Sequence, residues 1–520
     1  MKRIISLAIT ILMLVSLAAC QKAPIKDAEG SPAPTEAPKA TEQPTTAPTD
    51  PADPTDVPTD APTAPPEITP EPTEVPNAEP LGASDVKSVF SSSAGTNYIL
   101  FADGSLWSWG RNEYGQAGSG TTSLVRFPVK IAEGLTPIFV GETVFALGSD
   151  GMLWGWGRND GGDLGLGDTT DRTKPEEIMP FVKKIVRAYD GWYAVTEGGE
   201  LYHWGFNSWD DTLSDEEKAA ACTPKAVLKN IVAFDGAYAI TSGGELLRKQ
   251  YGDEGYSHVA DGVRNILANG IIRVIEGTNG RLYALDYNNN KVEICSSYRS
   301  VTISDSAAYI LMNNGSLYCY YVNSFDGIRE IPEDQLNKLI FIMDGVGEFY
   351  ADDYIDEDWG YYYRFALKKN GELWAWGLWD NSVLGKNADA DVDIPELVAK
   401  DVKTVSTNGY NTYIIKKDGT LWATGSDSVF GPRDTDESRS FGFVKIPFEA
   451  KITKVFNLLR MEFVDGDEYD WTELYASTYA VDGNGRIWAW GWNGEGLLGV
   501  LSNEEEVTAP LPVVKEMNNE

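Results

Sequence analysis

Over most of the chain, short apolar runs alternate with turns built from Asp, Asn and Gly, and one pattern of run, turn and run keeps returning. Aligned on the turn glycine, nine copies appear, at Gly104, Gly151, Gly199, Gly244, Gly280, Gly315, Gly371, Gly419 and Gly485. The preceding residue is always Asp, Asn or Gly, and the residue two after is always Leu or Ile. Three after stand Trp107, Trp154, Tyr202, Leu247, Tyr283, Tyr318, Trp374, Trp422 and Trp488. Six before stand Tyr98, Phe145, Tyr193, Tyr238, Val274, Tyr309, Phe365, Tyr413 and Tyr479. The spacing runs from 35 to 66 residues, so insertions fall between units rather than inside them.

Asp-Gly or Asn-Gly between apolar runs predicts a β-hairpin, here one whose two central turn residues both take positive φ. Folding about such a turn pairs the residue six before the glycine with the one five after. In the first copy this puts Tyr98, Leu100, Trp107 and Trp109 on one face and Ile99, Leu106 and Ser108 on the other. One face is then bulky and aromatic, the other small and aliphatic, and neither is polar. A sheet apolar on both faces needs a neighbour on both, and units of this length hold about four strands each. Radial stacking into a β-propeller meets that need and leaves few open edges. A linear solenoid is the rival, with repeats usually shorter and more regular than these.

The string WGxNxxGxLG follows several hairpins. It is complete at Trp156–Gly165 and Trp490–Gly499, and nearly so at Trp109–Gly118, with Ala117 in the leucine place. Trp204–Asn207 keeps its beginning, Trp376–Gly385 and Gly425–Gly431 are altered, and the copies at Gly244, Gly280 and Gly315 lack it. The string resembles the regulator of chromosome condensation (RCC) repeat family, whose members are β-propellers. The resemblance covers about residues 83–515 and implies an all-β propeller. Seven blades are common in the family and nine motifs are present, so seven to nine blades are expected. The namesake activity, nucleotide exchange on a nuclear GTPase at chromatin, does not suit an exported acidic chain. A secreted bacterial relative that clasps β-lactamase suits it better, although no residue here carries that partner choice. Fold alone does not give function.

The N-terminus belongs to none of this. Lys2 and Arg3 precede an apolar run from Ile4 to Ala19 that ends on LAAC, the pattern of a bacterial lipoprotein signal. Residues 1–19 are read as the signal peptide and Cys20 as the lipidated residue, its acyl chains holding the protein at the cell surface. Residues 20–80 are read as a disordered acidic stalk, because sixteen of the 27 prolines lie there and almost nothing can be buried. Residues 81–520 are read as the propeller.

Charge and chemistry narrow the function further. A net charge of −35 disfavours nucleic acid and anionic membrane faces, leaving the lipid anchor as the membrane contact. Cys222, Cys295 and Cys319 form an odd set whose disulfide state the sequence leaves open, a Cys295–Cys319 bridge being one option. With only His203 and His258, no zinc site is expected. Asp352, Asp353, Asp356, Glu357 and Asp358, and likewise Asp389, Asp391 and Asp393, offer oxygen ligands for calcium without the EF-hand spacing, so the default there is a solvated loop and no cofactor. No nucleophile elbow, phosphate loop or HExxH motif occurs, so the chain reads as a non-catalytic monomer that binds a protein or glycan. The alternatives are a glycan hydrolase or lyase using paired carboxylates, or a structural envelope protein. Six tryptophans outside the repeat positions are the binding candidates: Trp192, Trp209, Trp359, Trp379, Trp471 and Trp492.

Overall fold

The computed structural model describes residues 78–81, 85–92, 94–207, 213–250, 255–269, 273–286, 289–304, 307–321, 337–355, 360–378, 383–385, 392–409, 411–426, 439–464 and 471–516. The signal segment, Cys20 and the stalk up to residue 77 lie outside them.

Each motif builds one blade. Nine antiparallel sheets, each of four strands consecutive in the chain, form an all-β propeller. The blades are 86–133, 135–179, 182–228, 231–260, 263–295, 300–343, 346–399, 402–446 and 452–512, numbered 1 to 9 below. First strands are innermost: those of blades 5 and 6, 6 and 7, 8 and 9, and 9 and 1 approach one another. One short helix, Asp215–Ala221, interrupts the strands of blade 3, started by a capping box between Ser214 and Glu217.

The hairpin turn differs from the expected one by a residue. All nine glycines have φ between +74° and +94°, and each donates its N–H to the carbonyl three residues back at 2.9–3.0 Å. The residue before the glycine is not in the left-handed region. This is a three-residue loop, a type I turn closed by one left-handed glycine. Asp or Asn precedes the glycine for another reason: its side chain accepts the N–H two residues on, as Asp103 does from Ser105 at 2.9 Å and Asn370 from Glu372 at 3.0 Å.

One extra loop residue slips the register and exchanges side chains between faces. Tyr98 pairs with Ser108, Ile99 with Trp107 and Leu100 with Leu106. The expected bulky, aromatic face is therefore split. Tyr98, Leu100, Leu106 and Ser108 share one side, and Ile99, Trp107 and Trp109 the other. A large aromatic ring now lies opposite a small residue, and Trp156 of the next blade packs edge-on to Tyr98.

The packing shows this directly. Tyr98, Leu100 and Leu106 of blade 1 cluster with Val144, Ala146 and Trp156 of blade 2. Phe145 and Leu153 of blade 2 do the same with Trp192, Ala194 and Trp204 of blade 3. The ring closes in kind, with Tyr479, Ile487 and Ala489 of blade 9 against Ile99 and Trp109 of blade 1. A second staple crosses that seam. Ala78–Pro80 pairs antiparallel with Val514–Glu516, which lies against the outer strand of blade 1, Val125–Glu133. Cys295 and Cys319 sit on strands of different blades, 5 and 6, and no disulfide joins them.

Candidate functional site

The WGxNxxGxLG string is a latch between blades. Its asparagine organises the loop: Asn159 accepts the N–H of Leu164 at 2.8 Å and donates to the carbonyls of Asp168 and Thr170 at 2.9 and 3.0 Å. The loop so shaped offers one buried carbonyl to the next blade. Trp156 donates its indole N–H to Gln116 O at 2.7 Å, Trp204 to Asp163 O at 2.6 Å, and Trp109 to Leu497 O at 2.7 Å. The three best copies of the string, at opposite ends of the sequence, are thus adjacent in space on blades 9, 1 and 2.

Where the string decays, the latch changes chemistry. In blade 4 the latch tryptophan is replaced by Lys249, whose ammonium reaches back to blade 3 and bonds the Asp190 carboxylate and, at 2.6 Å, the Tyr193 hydroxyl. Tyr193 donates to Asp190 at 2.9 Å, and His203 stacks on its ring with centroids 4.4 Å apart. Burial pushes the Asp190 carboxyl up, but Lys249, His203 and the Tyr193 hydroxyl outweigh it and hold the group below its ordinary value. Burial and the neighbouring carboxylate push the Tyr193 phenol far up, so it stays neutral. In geometry the cluster ties blade 4 to blade 3.

A depressed carboxyl stabilises the fold above its unfolded pKa of about 4, and that share is lost as pH falls through the lower folded value. Denaturation followed across the acid range should therefore show a component in the wild type, below about pH 4, that the Asp190→Asn/Lys249→Met pair lacks. Identical acid profiles would contradict the tie.

The two ends of the ring differ in character. One end carries the nine three-residue hairpins and links of one to five residues between blades. The other carries the connections between third and fourth strands, which run from five to twenty residues. Two ribbons rise from that loop end. In blade 9, strands Ile452–Val464 and Trp471–Asp482 stay paired from Asn457↔Thr478 out to Val464↔Trp471. In blade 7, strands Val346–Ile355 and Gly360–Lys368 stay paired from Ala351↔Arg364 out to Ile355↔Gly360. At about 3.3 Å per residue they stand roughly 23 and 13 Å above the blade ends. They flank blade 8.

Each ribbon is braced in its lower half. Arg460 is buried with its guanidinium 5.2 Å from the Tyr475 ring, which stacks on Trp492 with centroids 4.3 Å apart. Arg364 is buried with its guanidinium 5.0 Å from the Tyr309 ring of blade 6. These arginines and the ribbons are features the sequence reading missed. Long runs with strand-like alternation, such as FNLLRMEFV, were the signal available.

The six candidate tryptophans fare differently. Trp192 is fully buried, its indole bonded to the Asp163 carboxylate at 2.7 Å and its ring 4.6 Å from that of Phe145, so it has no face for a partner. It directly precedes a repeat aromatic and faces the neighbouring blade, as Asn97 does where it bonds Leu497 O at 2.8 Å. Trp492 is half-buried in the brace, and Trp471 begins the returning strand of the tall ribbon. Trp209, Trp359 and Trp379 lie outside the described residues, in connections that leave strands at the loop end. Of the suggested calcium ligands, Asp356, Glu357, Asp358, Asp389 and Asp391 also lie outside them, while Asp352, Asp353 and Asp393 fall within strands. Among the described residues, Glu245, His258 and Asp261 form the one group with metal-site composition, their ligand atoms within 4.8 Å of one another. All three are exposed, so water competes for every ligand position.

The Regulator of chromosome condensation (RCC1) repeat family matches residues 103–139 and 150–195, and a second description of the same repeat matches residues 86–116. No curated protein matches the sequence. Among solved structures, the chain is similar to yeast RCC1 (Prp20) bound to Kap60, at 15% identity and TM-score 0.40, covering 84% of this chain and 85% of that one. It is similar to Prp20p from Saccharomyces cerevisiae, described with its binding to Gsp1p and histones, at 16% identity and TM-score 0.40, covering 82% and 90%. It is similar to human WBSCR16 at 13% identity and TM-score 0.38, covering 79% and 93%.

Proposed function

We propose that the protein is a lipid-anchored binding protein of the bacterial cell surface, with Cys20 as the anchor, the Pro/Thr-rich segment as a spacer, and the loop end of the propeller as the face that holds a macromolecular partner, a protein in the first instance. One observation carries the reading: the ribbons rise from blades 7 and 9, on either side of blade 8, at the end that also bears the long connections. A rigid scaffold with variable connections gathered at one end is how binding surfaces are usually built. Two ribbons that run on past the paired ends of their blades cost ordering entropy, and the ring closes without them. The Lys249–Asp190–Tyr193 cluster is accounted for as a tie between blades, without a reaction.

Trimming the ribbons tests this. Residues 353–362 and 463–472 are removed and each pair of ends rejoined through Asn-Gly, which leaves both buried arginines in place. Cross-linking on intact cells should recover a partner with the full-length chain and lose it with the trimmed one, at unchanged thermal stability. Equal recovery by both would reject the loop end as the binding face. In parallel, Cys20→Ser should release the protein from the cell. Retention of that variant would reject the anchor and leave the loop-face reading untouched.

A further inference from the structure

The innermost strands reverse the charge balance of the molecule. The chain holds 78 acidic and 43 basic residues. Among the described side chains of the first strands, the exposed charged ones are Lys87, Lys183, Lys184, Arg187, Arg264 and Lys403, against a single acid, Glu348. Several of the bases are engaged: Lys184 with Phe234 O at 3.2 Å, Arg187 with Asp163 at 2.9 Å, and Arg264 with Glu276 at 2.5 Å. Lys87, Lys183 and Lys403 make no hydrogen bond or ion pair among the described residues. Each is the second residue of its strand, so the three stand at one level, by the hairpin-side mouth of the central channel.

Blades 2 and 4 line the channel with apolar side chains instead. On blades 2 and 4 the exposed inner-strand side chains are Ile138, Phe139 and Val232, at 37, 36 and 41% exposure. From blade 1 to blade 5 the wall therefore alternates basic, apolar, basic, apolar, basic. Lysines on an edge strand often serve to repel other sheets. That role is weak here, because the ring itself shields these edges, and it leaves the exposed Ile138 and Val232 unexplained, whereas Phe139 packs edge-on to Trp192 with ring centroids 4.7 Å apart.

We propose that the channel is a binding site for an extended acidic peptide segment that also carries large apolar side chains. A passage lined mostly by one sign of charge concentrates the opposite charge, even on an acidic molecule whose outer field is screened within about 8 Å at physiological salt. Ammonium groups one blade or more apart suit carboxylates spaced along a chain. A dense phosphate polymer would be better met by forked guanidinium pairs, and it would gain nothing from the apolar blades. An extended peptide places successive side chains on opposite sides and so satisfies both kinds of wall. This site lies apart from the ribbons and does not depend on the loop-face reading.

The probe is a short fluorescein-labelled peptide of alternating glutamate and leucine, followed by anisotropy with the full-length chain. Binding should weaken with salt. Replacing Lys87, Lys183 and Lys403 together by Gln should weaken it about tenfold, the sum of three modest charge contacts, at unchanged melting temperature. The matched change of Lys130, Lys225 and Lys445 to Gln, on the outer strands of the same three blades, should leave it unchanged. Ile138→Ser with Val232→Ser should weaken the glutamate–leucine peptide while leaving polyglutamate unaffected. The proposal is overturned if no binding appears at low salt, if the outer triple loses as much as the inner one, or if polyphosphate binds more tightly than the peptide. It is also overturned if the double serine variant binds both peptides as the wild type does.

Discussion

Trp156→Ala should lower the unfolding free energy by about 3–5 kcal/mol, the range for removing a fully buried large aromatic side chain. Trp156 has no exposed surface, packs edge-on to Tyr98 of the preceding blade with ring centroids 6.4 Å apart, and latches Gln116 O. The conservative change separates packing from latch. Trp156→Phe keeps most of the apolar area, and the Tyr98 hydroxyl still bonds Gln116 O, so about 1–2 kcal/mol is expected. Denaturant titration of both variants checks the pair. If phenylalanine costs as much as alanine, the bond rather than the packing dominates. If neither costs more than a surface substitution, the blade interface has been misplaced.

Gly157→Ala, one residue on, is expected to cost about 3 kcal/mol or more for a different reason. Gly157 has φ +93°, and an added Cβ would lie 2.1 Å from the carbonyl oxygen of Glu142, with backbone behind it. No rotamer relieves that contact, so a strand end must move. Gly134 is the control. Its φ is +75°, yet a Cβ there would meet nothing within 4 Å. Gly134→Ala should therefore show only the left-handed strain, about 1 kcal/mol. Equal losses at the two positions would mean that φ alone matters and that the close approach at the blade edge does not.

These positions show what the sequence disclosed and what it hid. The nine glycine-centred repeats announced nine hairpins, and mutual covering of two-sided apolar sheets led to a propeller. Blade number needed the structure, because only the sheets show that no two motifs share a blade. The hairpin register was misread by one residue. Asp-Gly is compatible with both a two-residue and a three-residue loop, and the choice depends on φ at the Asp, which composition does not report. That one residue moved Tyr98 and Trp109 to opposite faces. Trp192 looked like a spare aromatic because its bond to Asp163 links residues 29 apart on different blades. Lys249 stood in a latch position with no visible partner, since Asp190 lies 59 residues earlier. The ribbons escaped notice because their acidic residues read as loop, whereas backbone pairing needs no particular side chain on its open faces.

The seam between blades 9 and 1 ties Asn97 to Leu497 across 400 residues. A ribosome releases the first blade long before the last exists, so one greasy flank of blade 1 waits bare through most of synthesis. Any chain cut short, by a premature stop codon or by a protease, keeps two such flanks uncovered. Each would adhere to whatever else is unfolded nearby. Length itself thus becomes a checkpoint: a nearly finished copy is not a slightly weaker protein but an aggregation hazard, and its removal falls to the cell's quality control.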